Sequence, residues 1–190
     1  MSAIAVHLMR HGAPELAGRL LGRTDCAATE DGIAACVAAA EGLAVAAIVA
    51  SDLRRSVACA QAIGRAHGLP VRVDARWREL DFGDWDGLSA ERIEPGALAR
   101  FYDDPEAHAP PGGERWSALV ARTKAALDAV RTPTLVLTHG GPMRAVLADS
   151  CGIGLRGSWA FDLPYAALLS LRRWPGAPPT VQITGLRCAG

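Results

Sequence analysis

Lysine is almost missing from this chain: Lys124 stands alone, and every other basic residue is arginine. The charges cancel, 20 basic against 20 acidic, so no global field points towards nucleic acid or an anionic membrane surface. No stretch approaches the ~20 apolar residues that a membrane span needs. Met1-Ser2-Ala3-Ile4-Ala5-Val6 lacks the charged start and long apolar run of a signal peptide. The five cysteines (Cys26, Cys36, Cys59, Cys151, Cys188) are scattered, odd in number and contain no C-x-x-C pair. They read as reduced, mostly buried thiols of a cytoplasmic protein. Zinc-ligand spacing, a P-loop and a G-x-S-x-G elbow are also missing. Gly152-Ile153-Gly154-Leu155-Arg156-Gly157 does spell G-x-G-x-x-G, yet it follows an expected helix rather than a strand, and no βαβ unit surrounds it. That match carries no nucleotide site.

What is present suits one compact α/β domain over residues 1–190, with half its residues hydrophobic. Three strand-then-helix units stand out. Ala3 to Met9 alternates Ile4, Val6 and Leu8 along one face. Ala46 to Ala50 is followed by Ser51 as an expected N-cap, a helix through Ala66, and Gly68 as its stop signal. Thr134 to Thr138 is a β-branched run, with Pro142 expected at the first position of a helix to Asp149. Around these, Thr29 caps an Ala-rich helix reaching Leu43, and Val71 to Asp74 is a short strand. Glu114 to Val130 forms an amphipathic helix, and strands near Ala166–Arg173 and Thr180–Thr184 complete the sheet. The turn-rich insert from Gly83 to Gly113 is expected to act as a lid or substrate loop. Alternating β and α units imply a mostly parallel sheet with helices on both faces, and ligands gather beyond the carboxyl ends of such strands.

Each of the three strand ends carries reactive residues: Arg10-His11-Gly12, then Ser51-Asp52-Leu53-Arg54-Arg55, then His139-Gly140-Gly141. Helix N-termini offer free N–H groups to a phosphate, and arginine adds a planar fork that matches two phosphoryl oxygens. Two histidines and two arginines on one rim therefore form a phosphate clamp with a nucleophile inside it. Neutral His11 can attack phosphorus, and flanking guanidinium groups disfavour protonation of its ring. Arg10, Arg55 and His139 would spread the charge of the transferring group. An acid must still protonate the leaving oxygen and then activate water. Glu79, beside Trp77 and Leu80, is the best-placed carboxyl, with Asp81, Asp84 and Asp86 expected to be solvated loop carboxylates.

Taken in order, these segments resemble the histidine phosphatase superfamily, the group that includes cofactor-dependent phosphoglycerate mutase. The likeness runs through Leu8-Met9-Arg10-His11-Gly12, Gly22-Arg23-Thr24-Asp25, Thr29-Glu30-Asp31-Gly32 and Ser51-Asp52-Leu53-Arg54-Arg55-Ser56. It continues through Glu79-Leu80-Asp81-Phe82-Gly83-Asp84-Trp85-Asp86-Gly87, Pro111-Gly112-Gly113-Glu114 and Thr138-His139-Gly140-Gly141. The resemblance implies a three-layer α/β/α sandwich, His11 as the phosphohistidine, Glu79 as general acid/base, and Arg10, Arg55 and His139 as the phosphate pocket. It implies no metal and no cofactor. Gly12, Arg23 and Gly140 are the expected substrate contacts.

Within the family the short chain and the Phe-Gly-Asp-Trp-Asp-Gly segment most resemble α-ribazole phosphatases. The chain is short of the inserted material that encloses a bisphosphate in a glycolytic mutase, so hydrolysis is favoured over mutase transfer. A catalytically silent phospho-ligand module would be expected to lose the nucleophile or the acid, and both are here. Ala13-Pro14, Cys59 and Arg115 depart from the family pattern, which leaves the ester itself open. The expected partner is a small-molecule phosphate ester, with neither nucleic acid nor membrane, and a homodimer is left open. Of the other residues, His7 is expected to be structural, His67 to serve a helix end and His108 to lie in an exposed loop. Arg54 is expected at the surface, and Trp85 either walls the pocket or anchors its loop.

Overall fold

The computed structural model describes residues 2–176 and 179–188. Six strands form one sheet: β1 (Ile4–Arg10), β2 (Ala47–Ala50), β3 (Val71–Val73), β4 (Thr134–Thr138), β5 (Leu168–Trp174) and β6 (Thr180–Arg187). Their order is β3-β2-β4-β1-β5-β6. The pairs β3–β2, β2–β4 and β4–β1 are parallel, while β5 and β6 add an antiparallel margin. The helices are α1 (Glu30–Ala39), α2 (Arg54–His67), α3 (Pro95–Asp103), α4 (Trp116–Asp128), α5 (Gly140–Cys151) and the one-turn α6 (Leu155–Ser158). The sheet is mixed but mostly parallel.

Every residue of β4 is buried, as expected of a central parallel strand covered on both faces. Its side chains divide by the two-residue period of a strand. Val136 joins Val6, Leu8, Val49 and the α4–α5 residues Ala126, Leu127, Met143 and Leu147 on one face. Leu135 and Leu137 join Met9, Ile48, Ala50 and the α1–α2 residues Cys36, Cys59, Ala60 and Ile63 on the other. Each fully buried Leu or Ile contributes about 1.5–3 kcal/mol of apolar transfer. The two clusters clamp the sheet between helical layers.

Register is what positions the site. Arg10 lies opposite Thr138, and Ala50 lies opposite Leu137. The ladder continues one step further: His11 N–H donates to Thr138 O (2.9 Å) and Ser51 N–H to Leu137 O (2.9 Å). β1, β2 and β4 therefore end level, and the residues that follow them emerge side by side.

Several local expectations are corrected by tertiary contacts. Ser51 is not the N-cap of α2; Leu53 is, and the Ser51 hydroxyl is engaged by His139. Pro142 stands third in α5, which begins at Gly140. It is tolerated because first-turn N–H groups need no helical partner. α1 stops at Ala39, short of Leu43, where the chain turns through Gly42 at φ 72°. α4 begins at Trp116 because Glu114 is turned aside to Arg122. β3 ends at Val73, where the Asp74 side chain accepts Arg76 N–H and caps a 3-10 turn. The turn-rich 83–113 segment also carries a helix: α3 runs nine residues, with Pro95 in its first turn and the Glu94 carboxylate accepting from Gly96 and Ala97 N–H.

Other expectations stand. Thr29 caps α1 by accepting Gly32 N–H (3.0 Å), and Gly68 ends α2 at φ 67°. His7 is held by Ser170 Oγ at 2.9 Å, His67 is the last residue of α2, and His108 is exposed. All five cysteines are free; Cys26, Cys36 and Cys59 are buried. No helix among the described residues is long and apolar enough to cross a membrane.

Candidate active site

His11 is buried, with its two ring nitrogens in different surroundings. Nδ1 lies 2.7 Å from Gly12 O, and Nε2 lies 3.3 Å from Arg55 Nε. A carbonyl only accepts and a guanidinium only donates. So Nδ1 carries the hydrogen, and the Nε2 lone pair is turned to Arg55. Burial is the largest influence on this ring, followed by the Arg55 charge, and together they lower its pKa to about 3 against a weaker pull from the Gly12 carbonyl. The guanidinium effect expected from sequence is present, but desolvation outweighs it.

Arg55 is fully buried and ties the site to the preceding loop, donating to Leu21 O (2.6 Å) and Thr24 O (2.9 Å). That loop is organised from the far side by Asp86, which accepts N–H groups from Gly22, Arg23 and Thr24. Asp25 then accepts Arg54 N–H (2.7 Å) at the start of α2, while the Arg54 side chain is exposed. Asp86 is thus no solvated bystander. Asp81 pairs with Arg23 at 2.7 Å, and only Asp84 of the three competitors is exposed.

His139 sits against His11, ring centroids 4.9 Å apart. Its Nε2 is held by Ser51 Oγ (2.9 Å) and Ser56 Oγ (3.3 Å), and its buried Nδ1 has no protein partner. Burial, then His11, Arg55 and Arg10, hold its pKa well below the ordinary value. Arg10 donates to Leu163 O (2.6 Å) and lies 4.2 Å over the Tyr165 ring, while its Nε is buried without a partner. Tyr165 lies in a turn closed by Ala166, which adopts φ 59° and donates its N–H to Arg10 O. A non-glycine residue in that region is uncommon and gathers at functional sites.

Glu79 faces the N-terminus of α5. Its carboxylate accepts Gly141 N–H (2.9 and 3.2 Å) and Leu80 N–H (2.8 Å). A Cβ on Gly141 would stand 2.1 Å from Glu79 Oε1, so the carboxylate keeps this position only while residue 141 is glycine. The backbone carrying Glu79 is pinned by Arg122, which donates to the carbonyls of Arg76, Arg78 and Glu79 and to both oxygens of Glu114. The Pro-Gly-Gly-Glu segment therefore helps to place Glu79 indirectly.

Arg10, Glu79 and Gly140 line a cavity of about 210 Å³, and Arg23 lines a second, on the other side of Glu79. The Arg23 side chain is 69% exposed. Gly12 contributes through its backbone: its N–H is taken by Cys59 Sγ (3.4 Å), and a Cβ would meet Gly32 O at 2.1 Å. It serves the packing behind His11. Trp85 anchors its loop, edge-on to Phe101 at 5.8 Å, and His108 does not line the cavity. Sequence reasoning missed Arg122, Ser56, Tyr165 and Arg144; of these only Ser56 lay within a recognised segment. Among the described residues no three His, Cys, Asp or Glu side chains gather to hold a metal.

This geometry can be set beside known proteins. The family model for the histidine phosphatase superfamily, branch 1, matches residues 6–184. The chain belongs to that superfamily. It is a phosphoric monoester hydrolase by kinship. It is 34% identical over 169 residues to a glucosyl-3-phosphoglycerate phosphatase of Mycobacterium tuberculosis, covering 78% of this chain and 75% of that protein. A mycobacterial glucosyl-3-phosphoglycerate phosphatase solved with VO3 superposes at a TM-score of 0.85, with 30% identity, over 96% of this chain and 98% of that one. An Escherichia coli α-ribazole-5′-P phosphatase candidate superposes at 0.84 over 98% of this chain and 97% of that one, but at 19% identity. The α-ribazole likeness is thus one of fold, while the nearer sequence kinship shown is to a phosphatase of a sugar phosphoglycerate.

Two outcomes follow from this arrangement. Gly141→Ala should displace the Glu79 carboxylate and lower kcat about 100-fold, measured by steady-state kinetics on a folded variant. A variant with unchanged kcat would contradict the placement of Glu79. The His11 and His139 rings should also remain neutral from pH 8 down to pH 5 in a heteronuclear NMR titration. For a histidine kept neutral in the fold, the unfolded chain binds more protons. The His11 contribution to stability is therefore full above about 6.5 and falls as pH drops from there to about 3. A ring titrating near 6.5 would contradict the burial account.

Proposed function

We propose that this phosphatase works without a metal ion, transferring the phosphoryl group of a small monoester to His11 Nε2 and then to water. One observation carries the proposal: a neutral, buried imidazole with its lone pair beside the Arg55 guanidinium, next to two buried polar atoms without protein partners, Arg10 Nε and His139 Nδ1. An unpaired buried donor costs about 1–3 kcal/mol; an incoming phosphate would remove that cost at Arg10 Nε, and at His139 Nδ1 in the tautomer whose Nε2 accepts from the Ser51 and Ser56 hydroxyls.

In the first step the N–P bond forms as the ester O–P bond breaks, and Glu79 passes its proton to the leaving oxygen. Arg10, Arg55 and His139 hold the charge of the transferring group. Gly140, in the first turn of α5, adds the positive end of the helix. In the second step Glu79 takes a proton from water, the water oxygen bonds to phosphorus, and the N–P bond breaks. Glu79 is half-buried, so water reaches it. Arg23, beyond Glu79, is in position to meet a polar substituent of the ester. The sequence resemblance brings α-ribazole 5′-phosphate to the test and the kinship just described brings a glucosylated phosphoglycerate; the walls of the cavity beside Glu79 bear on the choice.

The test is a rapid acid-free quench of enzyme with labelled p-nitrophenyl phosphate in the presence of EDTA. Wild type should retain its rate with EDTA and carry an acid-labile label, while His11→Ala should lose the label and at least about 1,000-fold in kcat. Full turnover by His11→Ala, or loss of activity with EDTA, would overturn the proposal.

A further inference from the structure

Aromatic residues are scarce here: ten in 190, made up of five Trp, two Tyr and three Phe. Five of the ten, Phe82, Phe101, Tyr102, Trp116 and Trp159, line one cavity, the one bounded at its inner end by Arg10, Glu79, Gly140 and Gly141. Tyr102 and Trp159 remain 41% and 43% exposed at its rim, with ring centroids 5.5 Å apart. They are two of the four large hydrophobic side chains that the described residues leave exposed. Leaving two large rings in water beside an active site is unfavourable in the empty protein and is recovered when a ligand covers them.

The rest of the wall sharpens the chemistry. Among the described residues no Asn, Gln, Ser or Thr lines this cavity, and its one hydroxyl is that of Tyr102. Apart from Arg10 and Glu79, which face the reacting end, its single charged group is Arg144. That guanidinium lies 4.0 Å over the Trp159 ring and is held by Ser158 O (2.6 Å) and Phe161 O (3.2 Å). A guanidinium fixed in that way extends the aromatic surface as a flat, stackable plate. A polyhydroxyl group would have to shed its water here with few partners to replace it, a cost of about 1–3 kcal/mol for each unpaired hydroxyl.

We infer that the cavity takes the alcohol part of the substrate, and that this part is a flat, largely apolar ring system rather than a sugar, glycerate or amino acid. The inference rests on the phosphatase proposal and specifies its substrate class. Ring stacking on Trp159 and Tyr102 would hold the ester oxygen towards Glu79 while the phosphate occupies the Arg10–His11–Arg55 clamp. The polar cavity beyond Glu79, with Arg23 and Arg78, lies outside this apolar wall.

The test compares alkyl monoesters of similar leaving-group basicity, so that binding rather than intrinsic reactivity decides. 2-Phenylethyl and 2-(naphthyl)ethyl phosphate should show kcat/KM at least about tenfold above glycerol 3-phosphate, 3-phosphoglycerate and phosphoserine. The double variant Tyr102→Ala/Trp159→Ala, truncated only at the rim, should reduce that ratio about fivefold or more. Equal or better turnover of the polar esters, with a phosphoenzyme still formed from p-nitrophenyl phosphate, would overturn this inference and leave the phosphatase proposal standing. A preference untouched by the double variant would overturn the assignment of the cavity. Failure to form a phosphoenzyme with any ester would overturn the parent proposal itself.

Discussion

The structure turns on one imidazole held between a carbonyl and a guanidinium. The Gly12 carbonyl fixes the hydrogen on His11 Nδ1, and Arg55 stands at Nε2. Protonation at Nε2 would set two cations together in a dry site, so this nitrogen stays unprotonated, its lone pair facing Arg55 Nε. Everything nearby maintains that arrangement. Gly12 can carry it only because Gly32 in α1 also lacks a side chain. Arg55 can be buried only because Leu21 and Thr24 offer carbonyls, and that loop keeps its shape because Asp86 gathers its N–H groups.

A second assembly, built separately, sets the proposed acid. Glu79 lies in the segment after β3, with its backbone gripped by Arg122 and its carboxylate aimed at the N–H of Gly141. Glu114 in turn holds Arg122. The two assemblies meet because β1 and β4 end in register, which puts His11 and His139 in contact and starts α5 beside Glu79. The His11 side and the Glu79 side are thus supported by different parts of the chain and joined through the sheet.

Much of this was legible in the sequence because the strand ends are local signals. Thr134–Thr138 followed by His139-Gly140-Gly141 specifies a buried strand opening into a helix, and the same holds for β1 and Arg10-His11. Of the carboxyls weighed with Glu79, Asp81 pairs with Arg23 and Asp86 gathers the N–H groups of a loop. What could not be read were side chains whose task depends on partners far along the chain. Ser51 looks like a helix cap and is instead a support for His139, 88 residues away. Arg122 carries no local signal within its amphipathic helix, yet it donates to carbonyls of the segment 43 to 46 residues earlier. The aromatic wall draws on α3, α4 and the segment after α6, and no local pattern announces that they converge. Burial, the largest cause of His11 neutrality, is likewise a property of the fold.

The central claim is that His11 reacts through Nε2 because Nδ1 is committed to Gly12. The phosphoenzyme, trapped under mildly alkaline denaturing conditions, can be digested and its phosphohistidine isomer assigned by phosphorus–proton correlated NMR. The account predicts phosphorus on Nε2 of His11 alone. Phosphorus on Nδ1, or on His139, would contradict it.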